Sequence, residues 1–144
     1  MADKKLIELL NRALAMEYQA AIQYRTHAEL IAGQDYEPIA ARLKEIAGDE
    51  DGHAEKLRVR ISMLGGVPET VPTKVTVADK IEPSLKINVN AEREAIAIYR
   101  QILPLCRGNE ILEHAIRHIL MEEQEHTEEL SQLLGVQGEI KYSL

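Results

Sequence analysis

Four glutamates, Glu17, Glu50, Glu92 and Glu123, each interrupt the apolar stripe of a long helical segment. Residues of an α-helix advance by about 100°, so positions three, four, seven and eleven apart share a face. Around Glu17 that face carries Leu6, Leu10, Ala13, Ala20, Ala21, Tyr24, Ala28 and Ile31. Around Glu50 it carries Leu43, Ile46, Leu57, Ile61 and Leu64. Glu92 is flanked by Ala95, Ile96, Tyr99 and Leu103, and Glu123 by Leu112, Ile116, Ile119 and Leu130. All four carboxylates therefore belong to an interior. A lone buried carboxylate costs several kcal/mol or takes up a proton, and four in one interior repel one another. The fold must supply compensating positive charge, and two divalent cations would match four carboxylates.

The segments also repeat. "DEDGHAEKL" pairs Glu50 with His53 and "MEEQEHTEEL" pairs Glu123 with His126, three residues apart and so on one helix face. "EYQAAIQY" and "EREAIAIY" share another spacing: Glu17, Ala20, Tyr24 against Glu92, Ala95, Tyr99. The separation from Glu17 to Glu50 is 33 residues and from Glu92 to Glu123 it is 31. The chain reads as two copies of one helical hairpin. Neutral imidazoles would add nitrogen ligands without altering the charge balance. Oxygen and imidazole donors without thiolate suit iron or manganese, with zinc as a substitute. Tyr24 and Tyr99 lie two turns beyond their glutamates, on the same side. They read either as core aromatics with a satisfied hydroxyl or as phenols donating to a metal-bound carboxylate of a neighbouring helix, and the second is expected.

Apolar periodicity predicts helices at about 4–32, 36–64, 84–105 and 109–134. Asp3 is placed to cap the first, Gly33 to end it and Gly65-Gly66 to end the second. Pro38 falls in a first turn, where it is tolerated. Short connections make each pair of helices an antiparallel hairpin. The stretch "GGVPETVPTKVTVADKIEP" between the pairs is long enough, when extended, to cross a bundle on the order of 38 Å in length. The expected architecture is all-α: a four-helix bundle of two antiparallel hairpins joined by a long crossover, with residues 1–144 forming a single domain. A short β-like piece at "KVTV" is an alternative, and "GVQGEIKYSL" reads as a tail too brief for another substantial helix.

A net charge of −7 with no Lys/Arg block argues against a nucleic-acid partner and is compatible with attracting cations. Cys106 is the only cysteine, so no intramolecular disulfide is possible, and it reads as a small apolar side chain near a helix end. The N-terminus has no apolar leader-like run, and nowhere do 18 apolar residues occur together, so no membrane role is expected and the cytoplasm is the expected compartment.

Helical phase sorts the remaining acids and histidines. Glu94 lies about 200° from Glu92, towards solvent. Asp49, Asp51 and Glu55 fall on the flanks or back of the second helix, and Glu122 and Glu125 flank Glu123. His114 and His118 read as surface residues, and His27, at the edge of the first stripe, as a partly buried, hydrogen-bonded histidine.

At these residues the chain resembles the ferritin-like superfamily, and the bacterioferritins most closely. "LNRALAMEYQAAIQYRTHA" is similar to the family pattern L-N-x-x-L-x-x-E-L-x-A-I-x-Q-Y-x-x-H-A. "DEDGHAEKLRVRISMLGGVP" is similar to E-x-x-H-A-x-x-x-x-x-R-I-x-x-L-x-G-x-P, and "ILMEEQEHTEEL" to I-L-x-x-E-x-x-H. In the third helix the likeness rests on Glu92 and Tyr99-Arg100, and in all it spans about residues 4–134. The resemblance implies a dinuclear iron centre bound by Glu17, Glu50, His53, Glu92, Glu123 and His126, with Glu50 and Glu123 terminal or bridging. It implies a ferroxidase that oxidises Fe(II) with O₂ or peroxide, in iron storage or detoxification. Haem-binding members place a methionine directly after the second-helix glutamate; Asp51 stands there, so no haem is expected. A homo-oligomer is expected, a dimer or larger. Family cages carry a short fifth helix, for which only "GVQGEIKYSL" remains, so a smaller assembly is an alternative to a storage cage. The rival functions are a rubrerythrin-like di-iron peroxidase or oxidase without mineral storage, although no Cys-x-x-Cys module is present, and a non-catalytic metal-binding bundle.

Overall fold

Asp3 starts the first helix: its carboxylate accepts a 2.9 Å hydrogen bond from the backbone N–H of Lys5, satisfying one of the donors that a helix start leaves open. The computed structural model describes residues 3–33 and 36–143, and the side chains among them up to Gly135. Its helices are α1 (Lys4–Ala32), α2 (Glu37–Met63), α3 (Ile81–Ile102) and α4 (Glu110–Ser143), with a 3₁₀ turn at Leu103–Cys106. No strand occurs among the described residues.

The end of α2 follows its two glycines. Gly65 takes φ +86°, its N–H bonds to Ser62 O at 3.0 Å and that of Gly66 to Ile61 O at 2.9 Å, closing the helix with a left-handed cap. A Cβ at Gly66 would lie 2.8 Å from Ile7 Cγ2, so this glycine also lets the chain pass close over α1.

α3 begins at Ile81 rather than 84. Pro83 falls in the first turn, where a missing N–H breaks no intrahelical bond, and the Ser84 hydroxyl donates back to Lys80 O and Ala78 O from inside the helix. The helix ends at Ile102, and the 3₁₀ turn containing Pro104 carries the chain on to Cys106. Asn109 caps α4, its side-chain oxygen accepting from Leu112 N–H at 3.1 Å.

The expected stop of the fourth helix at 134 is corrected: α4 continues through Gly135 to Ser143. An interior glycine costs only about 1 kcal/mol relative to alanine. The left-handed φ that marks the glycine cap of α2 is not found at Gly135, and Leu133 and Leu134 still pack against the core just before it.

The core is in two parts. One cluster joins Leu6–Leu14 of α1, Ala54–Ile61 of α2, Ala95–Ile102 of α3 and Leu112–Ile119 of α4. The other joins α1 from Ala20 to Ile31, α2 from Ala40 to Ala47, α3 from Ile81 to Val89, and Leu130 of α4. The pairings make α2 antiparallel to α1, α4 antiparallel to α3, and α3 antiparallel to α1, so the segment from α2 to α3 returns along the length of the bundle. Between the clusters, at mid-length, sit Glu17, Glu50, Glu92 and Glu123.

The crossover is held by α1 side chains. Asn11 bonds Val67 O and Glu69 N–H, Tyr18 bonds Glu69 O, and Gln19 bonds Lys74 O at 2.7 Å. Thr76 N–H donates to Gln23 at 2.9 Å, and Ala78 N–H to His27 Nε2 at 3.1 Å. "KVTV" is therefore bonded by side chains of α1 and does not pair as a strand. This use explains why Gln19, Gln23 and His27 are buried on α1. No helix among the described residues is long and apolar enough to cross a membrane.

Candidate metal centre

Glu17, Glu50, His53, Glu92, Glu123 and His126 converge at mid-bundle, none more than 3% exposed. They form two overlapping groups. Glu17, Glu50, His53 and Glu123 can each offer one atom so that all lie within 4.8 Å of one another, and so can Glu50, Glu92, Glu123 and His126. Glu50 and Glu123 belong to both. His53 Nδ1 faces Oε1 of Glu50, Glu123 and Glu17 at 3.3, 3.4 and 3.5 Å. His126 Nδ1 faces Oε1 of Glu123, Glu50 and Glu92 at 3.2, 3.4 and 3.6 Å.

Several of these atoms are orphaned. Glu17 Oε1, both oxygens of Glu50, Glu92 Oε2, Glu123 Oε1 and Nδ1 of both histidines are buried with no hydrogen-bond partner. Buried polar atoms are ordinarily paired, and these seven all belong to residues of the two groups. Carboxylate oxygens and imidazole nitrogens in that arrangement form a donor set for two hard divalent cations, so the residues fit a dinuclear iron or manganese centre.

The titration behaviour shows the strain of so much like charge. Burial, reinforced by Glu123, raises the carboxyl of Glu17 to about 7 and that of Glu92 to about 8. Burial likewise lifts Glu50 well above the ordinary range, with Glu123, Glu17 and Glu92 adding to it. Burial also opposes ionisation of Glu123, yet the two imidazoles beside it and Glu50 outweigh that and hold its carboxyl below the usual range. For His53 and His126 burial disfavours the charged ring, but the surrounding carboxylates prevail and raise both.

The two tyrosines act across the bundle. Tyr24 of α1 donates to Glu92 Oε1 of α3 at 2.7 Å, and Tyr99 of α3 donates to Glu17 Oε2 of α1. Both hydroxyls are held in the neutral donor form, chiefly by burial and then by the carboxylates nearby. Each phenol thus fixes one oxygen of a carboxylate whose other oxygen is orphaned.

Two participants escape the helix-phase argument. Glu122 Oε1 lies 3.3 Å from His53 Nε2, and Asp49 Oδ2 lies 3.0 Å from His126 Nε2. Each acid directly precedes the glutamate of its own Glu-x-x-His pair and reaches the histidine of the other helix. With Nε2 so engaged, each ring turns Nδ1 towards the carboxylates. The signal in the sequence is the repeated acid-Glu-x-x-His, "DEDGH" and "EEQEH". Asp51, Glu55, Glu94 and Glu125 are exposed, and Asp51 is ion-paired with Arg25 at 2.5 Å. His114 is exposed, and His118 is partly so. His27 is fully buried, its Nδ1 3.2 Å from Asn88 Oδ1.

Known proteins resemble this chain in sequence and in fold. The ferritin-like domain family matches residues 7–137. Bacterioferritin of Desulfovibrio desulfuricans is 36% identical over 125 residues, covering 85% of this chain and 70% of that one. Bacterioferritin of Rhodobacter capsulatus is 28% identical over 145 residues, covering 94% of this chain and 90% of that one. The 2.6 Å structure of the Rhodobacter capsulatus protein, described with a metal-free dinuclear site and a heme iron in a crystallographic special position, superposes with a TM-score of 0.88 at 26% identity, covering 94% of this chain and 88% of that one. A four-helix fold, mid-bundle carboxylates and these relatives agree: the chain belongs to the ferritin-like domain family, among the bacterioferritins.

Proposed function

We propose that this chain is a di-iron ferroxidase that oxidises Fe(II) with O₂ or peroxide, in iron storage or detoxification, with residues 1–144 acting as one di-iron domain. The observation that carries this reading is the pair Glu50 and Glu123, common to both ligand groups. With them, Glu17 and His53 would hold iron on one side and Glu92 and His126 on the other. Bound there, two iron ions supply the electrons for a two-electron reduction of the oxidant, and hard oxygen donors favour the ferric product.

The protein's own part is positioning. Tyr24 and Tyr99 fix the carboxylates of Glu92 and Glu17, while Asp49 and Glu122 fix the imidazoles. The apolar clusters on either side keep bulk water from the centre. Manganese or zinc could take the same donors. At Asp51 a carboxylate paired with Arg25 offers haem no thioether sulfur, so we propose a chain that takes up no haem, and a Soret band after incubation with hemin would overturn that point. A cytoplasmic location is part of the proposal, and so is a homo-oligomer, the latter supported by the exposed apolar residues Ile22 on α1 and Val67 and Val71 on the crossover.

Stopped-flow oxidation of Fe(II) tests the reading. Rapid oxidation by the native protein and its loss in the Glu17→Ala/Glu123→Ala double variant are expected. Oxidation that survives the double change sinks the assignment. Retention of far more than two irons per chain indicates storage; retention of two indicates a catalytic centre alone.

A further inference from the structure

The seam between α2 and α4 is built differently on its two sides of the centre. On one side Arg42 bridges it, its Nε and a terminal nitrogen bonding both oxygens of Glu129 at 2.6 and 2.9 Å while the other holds Glu45 at 3.1 Å. Glu129 lies near enough to His126 to feel its charge. That side is closed by a bidentate ion pair.

The other side is open. A groove of about 410 Å³ lies between the helices, lined by Glu55, Lys56 and Val59 of α2 and by Ile111, His114 and His118 of α4 among others. From it a line of donor atoms leads inwards. His118 Nδ1, on a side chain 43% exposed, lies 3.1 Å from Glu122 Oε1, on a side chain 28% exposed. The same Glu122 oxygen lies 3.3 Å from His53 Nε2. His53 is 2% exposed and faces the centre through its other nitrogen. Lys56 Nζ, 3.4 Å from His118 Nδ1, is the cation an arriving metal would displace.

We propose that this groove is the port by which divalent cations reach the centre, with His118 and Glu122 receiving them on the way to His53. The proposal rests on the di-iron reading above and adds a direction of approach to it. The chemistry fits the cargo: imidazole and carboxylate donors bind Fe(II) and similar ions, and each step along the line exchanges one such ligand for another. On the other side Asp49 holds His126 in the same way, but there Arg42 spans the seam to Glu129 and also holds Glu45, so a fixed cation already occupies those carboxylates. His118 is therefore a positioning and transfer residue, outside the centre.

Cobalt(II) binding, followed by its visible absorption in stopped flow, tests this without turnover. Native protein, His118→Ala and Glu45→Ala are compared at one pH, with release into a chelator measured as well. A residue on the path changes arrival and release by the same factor and leaves the equilibrium constant alone, whereas one that shapes the centre alters the constant. His118→Ala is expected to slow both by about tenfold, the low end of what a lined cleft adds to association, with an unchanged dissociation constant and two cobalt ions per chain. Glu45→Ala, on the closed side, is expected to match the native rates. Equal rates in native protein and His118→Ala, or a weakened constant with unchanged arrival, overturn the port. Native protein that binds no cobalt in its interior overturns the di-iron reading, and the port with it.

Discussion

Tyr24 of α1 donates a hydrogen bond of 2.7 Å to Glu92 of α3, and the relation recurs in reverse between Tyr99 of α3 and Glu17 of α1. The two hairpins thus hold each other's carboxylates. Both phenols are fully buried among carboxylates and have no role in the apolar clusters that requires a hydroxyl.

Removing that hydroxyl isolates its contribution. Tyr24→Phe and Tyr99→Phe each keep the ring and are expected to weaken metal binding about 10- to 100-fold, as loss of a partner to a ligating group does. Calorimetric titration with metal checks this. An unchanged affinity in both variants would show that the phenols merely fill space.

Glu122→Gln and Asp49→Asn test the acids behind the histidines. Each substitution leaves the side-chain size unchanged and removes the charge beside Nε2 of His53 or His126. A loss of metal affinity of about 10-fold or more is expected for each. Their effects should also be similar, because the two contacts are related by the internal repeat.

Charge repulsion makes an opposite forecast for the metal-free protein. Glu50 is fully buried with both oxygens unpaired. Glu50→Gln should raise metal-free stability by about 1–4 kcal/mol, the range seen when buried ionic groups are replaced. The same change should remove the stabilisation that metal confers, about 2.7 kcal/mol per site at a hundredfold excess over Kd. Thermal melts with and without metal check both halves.

The pH dependence has a defined sign. Carboxyls of Glu17 and Glu92, raised to about 7 and about 8, ionise later in the fold than in the unfolded chain. The metal-free fold therefore loses stability as pH rises from their ordinary 4.5 through those values. The raised histidines act in the same direction, their contribution being present at low pH and lost only as pH climbs through their folded values. Glu123, held low, acts the other way, but only on acidification below its ordinary value. Metal needs the carboxylates ionised, so affinity should rise over the same interval. A lower melting temperature for the metal-free protein at about pH 8 than at about pH 5.5 is expected, with a larger metal-induced increase at the higher pH.

Much of this was legible because helical phase is a one-dimensional property. The stripes around Glu17, Glu50, Glu92 and Glu123 predict which side chains point inwards, and all four glutamates are buried. Asp49 and Glu122 were not legible in this way. A residue one position before a buried glutamate sits about 100° round the helix, and its partner depends on how α2 and α4 cross, which no single helix records. The run of α4 past Gly135 was missed for a related reason. A glycine does not end a helix by itself: Gly65 closes α2 by taking a left-handed φ, and the need for that turn comes from the path of the chain beyond it. The burial of Gln19 and Gln23 has its reason in the crossover, whose backbone supplies partners for both and for His27.

The most direct measurement is anomalous X-ray scattering at the iron edge from crystals of this protein soaked anaerobically with Fe(II). Two interior peaks about 3.5–4 Å apart are predicted, one beside Glu17 and His53, the other beside Glu92 and His126, with Glu50 and Glu123 between them. Crystals that bind iron only at the surface, or show no peak among these six side chains, would contradict the dinuclear centre.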